Sequence, residues 1–450
     1  MAPIIEVLNN ADPYFNKDDA LKITDNLPGN LSGDFPLAGE QPSFDGSDKS
    51  QDLVKKALLS QVSQIDQDVC DAGDEDSFFV ADLGQVSRAY NLWKEKLPQV
   101  HAHYAIKCNT DERVVQLLGS MGANFDCASK NEIDTVLRLG FDASRIVYAN
   151  PCKTNSFIRH ARDTNVNLTT VDNKQELYKL KKFHPECKVL IRIATDDESA
   201  QCRLSTKFGC TLETAMDELL PECKELGIDA VGVAFHVGSG AKDFNSIYQA
   251  VKQSRMIFDK AQSLGVPMKV LDIGGGFERE TFEESSKMVQ YSLHKYFPNE
   301  YLEQNGVRVI AEPGRFMVAN AFTLATHIIA RRDLDSAKDG MEAMLYINDG
   351  VYGNLNCILF DHQHPVAKVL TSEGQVFDEV SEKKAGEYAF SIWGPTCDGL
   401  DCVSPRAMLS ANLQVGDWLY FPNLGAYTSA ATTSFNGFSG RAHVKYVSSE

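Results

Sequence analysis

The sequence predicts an α/β protein in which a closed (β/α)8 barrel precedes an antiparallel β-domain. Between residues 103 and 311, short apolar runs of strand length alternate with amphipathic helical stretches. Eight such units suit a closed parallel barrel, and a doubly wound open sheet is the alternative. After Arg315 the pattern changes to alternating, β-branched runs that are typical of antiparallel strands.

Composition limits the kinds of partner. The 450 residues are 43% hydrophobic and 24% charged, as in a globular protein of two domains. A formal charge of −18 disfavours nucleic acid and anionic membranes as partners. No stretch has the pattern of a signal peptide or a membrane span, so we expect a cytoplasmic protein. Eleven cysteines without a CxxC pair indicate reduced thiols, without disulfides or a metal site.

Three regions follow from the pattern along the chain. Residues 1–74 are predicted to be a flexible extension, because the stretch around Pro28 to Ser50 is rich in Gly, Pro, Ser and Asp and has little periodicity. The barrel is expected over residues 75–320 and the β-domain over residues 321–450. Residues 75–84 are expected to add a strand to the β-domain, ahead of a helix from Val86 to Leu97.

The individual strands are predicted from apolar runs. Those of the barrel are His103–Lys107, Ala123–Asp126, Ile146–Ala149, Asn167–Val171, Lys188–Ile193, Ala230–Phe235, Met268–Ile273 and Val307–Ala311. Those of the β-domain are Phe322–Ala330, Met344–Ile347, Ala367–Leu370, Tyr388–Ile392, Trp418–Phe421 and Ala442–Val447. Between most barrel strands, apolar residues recur at 3–4 spacing, which indicates helices that cover the barrel.

The chemistry of such barrels collects at the carboxyl ends of their strands. Lys107 ends the first predicted strand, where its amine suits a Schiff base with a carbonyl cofactor, although an ordinary solvated lysine is the common alternative. The other strand ends carry ionisable residues or glycines: Asp126, Asn150, Asp172, Arg192, His236, Gly274-Gly275-Gly276 and Glu312-Pro313-Gly314-Arg315. We therefore expect the functional site at this end of the barrel.

Glycines at two strand ends indicate an anion site. Gly274–Gly276 lets the backbone approach a phosphate, Gly314-Arg315 adds an amide and a cation, and Ser239 adds a hydroxyl. A simple glycine turn is the alternative. His236 is a candidate catalyst or a hydrogen-bonded core residue. Glu312 is a candidate general base, a partner for a pyridine nitrogen, or one half of a salt bridge.

A turn-rich loop of the β-domain carries Cys397 and Asp398 side by side. A thiol can donate a proton and a carboxylate can hold a cationic group, although such a pair is also common in ordinary turns.

Ten motifs together resemble those of the eukaryotic, fungal-like ornithine decarboxylases, in the alanine-racemase-like fold group of pyridoxal phosphate (PLP) enzymes. They are YAIKCN, FDCASK, RIATDD, FHVGSG, DIGGGF, AEPGR, NDGVYG, DHQHP, WGPTCDGLD and AYTSAATTSFNGF. The resemblance extends from about Phe78 to Gly440. It implies PLP-dependent decarboxylation of L-ornithine to putrescine and CO2, the first step of polyamine biosynthesis, in a homodimer whose active sites are shared between chains.

The resemblance also implies residue roles. Lys107 would carry PLP as a Schiff base, His236 would stack on its ring and Glu312 would pair with its pyridine nitrogen. The phosphate ligands would be Ser239, Gly276, Gly314, Arg315 and Tyr427, near Gly274 and Gly275. Supporting positions would be Asp126, Glu132 and Arg192. Cys397 would be the proton donor, and the substrate pocket would include Asp361, Asp398, Phe360 and Phe435.

Two departures from the family pattern affect substrate contacts. Phe360 stands where many relatives have tyrosine, and His101-Ala102-His103 replaces a more usual Pro-containing segment.

Two other functions stay open: an inactive homologue that binds antizyme, as antizyme inhibitors do, and a non-catalytic PLP carrier. The presence of Lys107, Cys397 and both carboxylates favours the enzyme, and antizyme remains a possible partner.

Overall fold

The computed structural model describes residues 47–195, 206–238, 244–335, 340–377, 388–438, 440 and 442–450. Its strands are β1 (Phe78–Asp82), β2 (Val100–Ala105), β3 (Asn124–Cys127), β4 (Ile146–Tyr148), β5 (Leu168–Val171), β6 (Lys188–Arg192), β7 (Asp229–Ala234), β8 (Val270–Asp272), β9 (Arg308–Ala311), β10 (Phe322–Asp333), β11 (Ala343–Ile347), β12 (Lys368–Val369), β13 (Thr371–Ser372), β14 (Gln375–Val376), β15 (Tyr388–Trp393), β16 (Cys402–Leu409), β17 (Trp418–Phe421) and β18 (His443–Val447). Its helices are α1 (Ser47–Val62), α2 (Leu83–Lys96), α3 (Glu112–Met121), α4 (Lys130–Arg138), α5 (Asn155–Asp163), α6 (Lys174–Phe183), α7 (Leu220–Leu226), α8 (Asn245–Ser263), α9 (Phe282–Tyr296), α10 (Asn299–Asn305), α11 (Arg315–Val318) and α12 (Cys357–Phe360).

Strands β2 to β9 pair in parallel, and β9 pairs with β2 to close the barrel. This confirms the predicted fold class and excludes the open-sheet alternative. A cluster of buried apolar side chains from five of the strands fills the interior: Val147, Leu190, Val231, Ala234, Val270 and Ile310. The intervening positions face the helices and join the main core.

The first barrel strand begins three residues earlier and ends two residues earlier than predicted. It ends at Ala105, and Ile106–Cys108 forms a 3-10 turn. Helix α3 begins after three further residues, at Glu112, because the Asp111 carboxylate accepts hydrogen bonds from the N–H groups of Arg113 and Val114. The short turn between a strand and a capped helix therefore fixes the backbone of Lys107.

The β-domain is built on a mostly antiparallel sheet, as predicted. In the described residues its order is β12-β17-β10-β11-β15-β16, and β1 pairs with β10 and with β18. Two pairings are parallel, β1 with β18 and β11 with β15. Strand β16 was missed by the sequence prediction. Its segment Cys402–Leu409 contains Pro405 and is mostly partly exposed or exposed, so it lacks the apolar signal of a buried strand.

The prediction of a flexible segment through residue 74 is wrong for Ser47–Val62, which is helical. Ala57 and Leu58 of α1 are buried against an apolar cluster that includes Val80 and Trp418. The Ser50 hydroxyl also donates a 2.5 Å hydrogen bond to Asp82. Residues 1–46 lie outside the described residues, and the predicted domain boundaries stay predictions.

Among the described residues, no helix has the length and apolar character to cross a membrane.

Candidate active site

The Lys107 side chain enters a cavity at the carboxyl end of the barrel. The cavity has an empty volume of about 300 Å3, and its lining residues are Ala105, Lys107, His236, Gly276, Phe277, Glu278, Glu312, Gly314, Arg315 and Tyr427. Seven of them were predicted site residues that lie far apart in the sequence. The barrel brings them together because Lys107 follows β2, His236 follows β7, Gly276 follows β8 and the segment 312–315 follows β9, while Tyr427 comes from the β-domain.

Asp126, the third residue of β3, holds the Lys107 amine. Lys107 Nζ donates to Asp126 Oδ2 at 2.5 Å, and the Asp126 side chain is fully buried. Burial opposes the charge on Lys107, but Asp126 and Glu312 outweigh it and raise the lysine pKa above its ordinary value. The amine is therefore held as an ammonium with a fixed direction.

His236 follows β7 on the opposite wall. Its Nδ1 accepts a 3.1 Å hydrogen bond from the Gly238 N–H, so the proton of the neutral ring belongs on Nε2. Burial, followed by the charges of Arg192 and Lys107, lowers the pKa of His236 well below its ordinary value. His236 therefore presents an uncharged, flat ring to the cavity.

Gly275 packs directly beside this ring. A Cβ at Gly275 would lie 2.8 Å from His236 Nε2 and 2.7 Å from the Glu312 carbonyl oxygen. At Gly274, a Cβ would lie 2.1 Å from the Phe235 carbonyl oxygen, and its φ is +65°. These close approaches explain why glycine is required here.

Glu312 and Asp272 place two buried acids inside the barrel. Asp272 Oδ1 accepts a 2.9 Å hydrogen bond from the Gly274 N–H. Burial and the charge of Asp272 raise the pKa of Glu312 well above its ordinary value, and burial raises the pKa of Asp272 to about 7. Burial therefore favours a proton on this acid pair. Sequence reasoning missed Asp272, although it begins the glycine motif.

The far end of the cavity is formed by Gly276, Gly314, Arg315 and Tyr427. A Cβ at Gly276 would lie 2.2 Å from the Gly238 carbonyl oxygen. The Arg315 guanidinium lies 5.3 Å from the centre of the Tyr427 ring. The Tyr427 N–H donates to the Cys108 carbonyl oxygen at 2.9 Å. This bond joins the β-domain to the turn that carries Lys107.

Two carboxylates also contact Arg315. Its Nη2 donates to Asp361 Oδ2, and its Nε lies 3.4 Å from Glu278 Oε1. Glu278 was missed by sequence reasoning, although it lies two residues after the glycine triplet.

Supporting residues take different positions. Arg192 is buried at the end of β6, where its guanidinium lies 5.3 Å from the Phe208 ring centre. Glu132 accepts from the Ala128 N–H at 2.6 Å, and its own N–H donates to the Ser129 side chain, so it helps to fix the start of α4. Ser239 lies outside the described residues.

Cys397 and Asp398 form a second cluster that does not line the Lys107 cavity. The Tyr352 hydroxyl donates to Asp398 Oδ2 at 2.5 Å, and this bond lowers the pKa of Asp398. The Tyr352 ring also stacks on Phe435, with 4.5 Å between ring centres. The exposed Cys397 is fixed by its N–H, which donates to Asn436 Oδ1 at 3.0 Å. Sequence reasoning did not single out Tyr352, which joins Asp398 to Phe435.

Comparison with known proteins identifies the family. Residues 83–319 match the family model of the pyridoxal-dependent decarboxylases, pyridoxal binding domain. The chain is 59% identical over 423 residues to an ornithine decarboxylase of Candida albicans, covering 89% of each chain. The chain belongs to the pyridoxal-dependent decarboxylases. The predicted family and its cofactor, PLP, are thereby confirmed.

Two further relatives of this decarboxylase show how the family varies. Antizyme inhibitor 2 of Xenopus laevis is 43% identical over 400 residues, covering 86% of this chain and 85% of that protein. The crystal structure of the arginine decarboxylase of Paramecium bursaria Chlorella virus matches with a TM-score of 0.78 and 34% identity, covering 88% of this chain and 100% of that one.

The cavity of this decarboxylase fits PLP. A lysine amine lies within it for the aldehyde, and Glu312 offers a carboxyl for the ring nitrogen. The backbone around Gly276 packs too closely to accept a side chain, as a phosphate cradle requires. Arg315 adds a cation beside that cradle.

Proposed function

We propose that the protein decarboxylates L-ornithine to putrescine and CO2, the first step of polyamine biosynthesis, in the cytoplasm. The observation that carries this proposal is the Lys107 amine, held by Asp126 in one cavity with His236, Glu312 and Arg315. The ornithine decarboxylase of Candida albicans supports the choice of substrate.

Each wall of the cavity has a proposed role toward PLP. Lys107 would hold the aldehyde of PLP, and Asp126 would direct its amine. His236 would stack its neutral ring on the cofactor ring, with Arg192 as a supporting residue. Glu312 pairs with the ring nitrogen. The phosphate is held by amides or side chains of Ser239, Gly274, Gly275, Gly276, Gly314, Arg315 and Tyr427.

When bound, PLP supplies a conjugated, protonated ring that accepts the electron pair left by the departing carboxyl group. Glu312 stabilises the positive charge on the ring nitrogen. Cys397 then delivers one proton to the former α-carbon of ornithine, which replaces the lost CO2 and yields putrescine. Delivery of the proton to any other carbon would give a different product, so the position of the thiol sets the outcome.

The proposed substrate pocket recognises the distal ammonium of ornithine. Asp361 and Asp398 supply carboxylates, while Phe435 and the segment around Phe360 form the walls of the pocket. One methylene gives only about 1–3 kcal/mol of discrimination in a pocket, so size alone excludes lysine incompletely. Charge placement is the stronger filter, since a buried carboxylate without its partner is costly.

We also propose that two chains complete each site. Cys397 does not line the Lys107 cavity of its own chain, and it lies on a surface with exposed apolar side chains, Leu400, Phe435 and Phe438. A second copy of the chain would cover this surface and bring its Cys397 to the Lys107 cavity. Mixing inactive Lys107→Ala with inactive Cys397→Ala should then restore part of the activity. Absence of recovery after verified subunit exchange would favour a site within one chain.

The similarity to Xenopus antizyme inhibitor 2 favours one alternative, a protein that binds antizyme without catalysis. Release of labelled CO2 from carboxyl-labelled L-ornithine by the purified, PLP-loaded protein separates the two functions. We expect release at a rate that Lys107→Ala abolishes. Binding of antizyme without CO2 release would establish the alternative, and an active enzyme can still bind antizyme as a partner.

A further inference from the structure

Arg315 is shared by two carboxylates from different parts of the chain. Asp361, at the end of α12, bonds to Nη2, and Glu278, after the glycine triplet, faces Nε at 3.4 Å. All three side chains are largely buried, with exposed fractions of 13% for Arg315, 10% for Asp361 and 24% for Glu278. Solvent ions therefore screen these charges weakly.

The charges of this group are out of balance. One guanidinium faces two carboxylates, and burial raises the pKa of Glu278. Burial opposes the charge of Arg315, but Asp361 outweighs it and raises the Arg315 pKa. A phosphate brings up to two further negative charges to the same guanidinium. Two carboxylates and a phosphate would place at least three negative charges around one guanidinium, so release of one carboxylate from this group is favoured.

Asp361 is the anion best placed to move. It caps the four-residue helix α12, and the next residue, His362, has a positive φ of 53°. The preceding Phe360 is 61% exposed, so little packing holds the segment from that side. Glu278, in contrast, follows the closely packed Gly276.

We propose that Asp361 exchanges partners: the phosphate of the cofactor takes Arg315, and the Asp361 carboxylate passes to the distal ammonium of the substrate. This inference rests on the proposed function of Asp361. It makes cofactor phosphate and diamine bind cooperatively, because each favours the same position of one carboxylate. By linkage, the coupling is equal in both directions.

The first test measures binding, not activity. Pyridoxine 5'-phosphate has the phosphate and the ring but no aldehyde, so calorimetry on the full-length protein freed of PLP reports binding without the Schiff base, and unphosphorylated pyridoxine measures the share that comes from the ring. Asp361→Asn should bind it about five-fold tighter or more, because the competing charge is gone. Asp398→Asn, the matched control, should bind it as the unmodified protein does, since Asp398 contacts Tyr352. Unchanged or weaker binding by a folded Asp361→Asn variant would overturn the exchange.

A second measurement covers the case in which Asp361→Asn fails to fold. Putrescine should bind the unmodified protein about five-fold tighter or more when pyridoxine 5'-phosphate is present. Unphosphorylated pyridoxine should leave its affinity unchanged. Equal putrescine affinity under all three conditions would refute the exchange. If CO2 release from ornithine is normal at the same time, only this inference fails; if CO2 release is absent, the proposed function fails as well.

Discussion

Asp272→Asn is expected to stabilise the folded protein at neutral pH. Asp272 is fully buried and shares the barrel interior with Glu312 and Asp126. Its Oδ1 accepts from the Gly274 N–H at 2.9 Å, and an asparagine oxygen can accept the same bond. The substitution therefore removes an ionisable group while keeping its shape and its hydrogen bond.

The size of the effect follows from the shifted pKa. Burial raises the pKa of Asp272 from 3.8 to about 7, which corresponds to about 4 kcal/mol when the group is fully ionised. In the unfolded chain Asp272 loses its proton near the ordinary aspartate pKa, whereas in the folded chain it keeps the proton up to about pH 7. The stability that neutral Asp272 contributes is therefore fully present at pH values below the ordinary pKa and is lost as the pH rises through 7. Asparagine does not undergo this loss.

Denaturant unfolding of the cofactor-free protein at pH 5 and pH 8 measures the difference. The stability of Asp272→Asn relative to the unmodified protein should rise by about 1–3 kcal/mol between these two pH values. Asp349→Asn is the control. Asp349 is also buried, but it accepts from Ser77 and from both nitrogens of Asn354, so its replacement should destabilise the protein at both pH values. A relative stability of Asp272→Asn that is the same at pH 5 and pH 8 would refute the reasoning.

Three further predictions concern the site. Borohydride reduction of the PLP-loaded protein should fix a pyridoxyl group on the peptide of Lys107, and label on another lysine would contradict that role. Gly275→Ala should weaken PLP binding about ten-fold or more, because its Cβ would lie within 2.8 Å of two neighbouring atoms; Gly399→Ala, which adds a Cβ in open space, should keep the PLP absorbance. Asp398→Ala should lose most of kcat/KM for ornithine with that absorbance intact, and the unmodified protein should turn over lysine poorly and arginine not at all. Turnover of lysine equal to that of ornithine would show the substrate assignment to be wrong.

The sequence predicted the barrel and one wall of the site well because both depend on local signals. Apolar runs, glycines and helix caps act within a few residues, and they placed Lys107, Gly276 and Arg315 at strand ends. Local signals were missed in α1, where Val54, Leu58 and Val62 recur at the spacing of an amphipathic helix. They failed for β16, where a proline and a mixed pattern conceal an exposed edge strand.

Contacts that depend on strand register could not be predicted in the same way. Asp272 pairs with Ile310 across β8 and β9, so Glu312, two residues later, projects to the same side of the barrel wall. Neither the motif that contains Asp272 nor the one that contains Glu312 carries a signal for this strand register. The carboxylates around Arg315 come from segments 83 residues apart, Glu278 and Asp361, and only the folded chain brings them together.

The acid pair inside the barrel shows why a stability cost is retained at this site. Burial raises the pKa of both Asp272 and Glu312, and the charge of Asp272 raises that of Glu312 further; a cation closer than Lys107 and Arg192 would be needed to offset this rise. A protonated ring nitrogen beside Glu312 would supply that cation, and the raised pKa would then fall. The two buried acids, which destabilise the chain when PLP is absent, therefore favour a cationic PLP ring over a neutral one. It follows that Asp272→Asn should gain stability without PLP while binding PLP less tightly, because the local negative charge that attracts the protonated ring has been reduced.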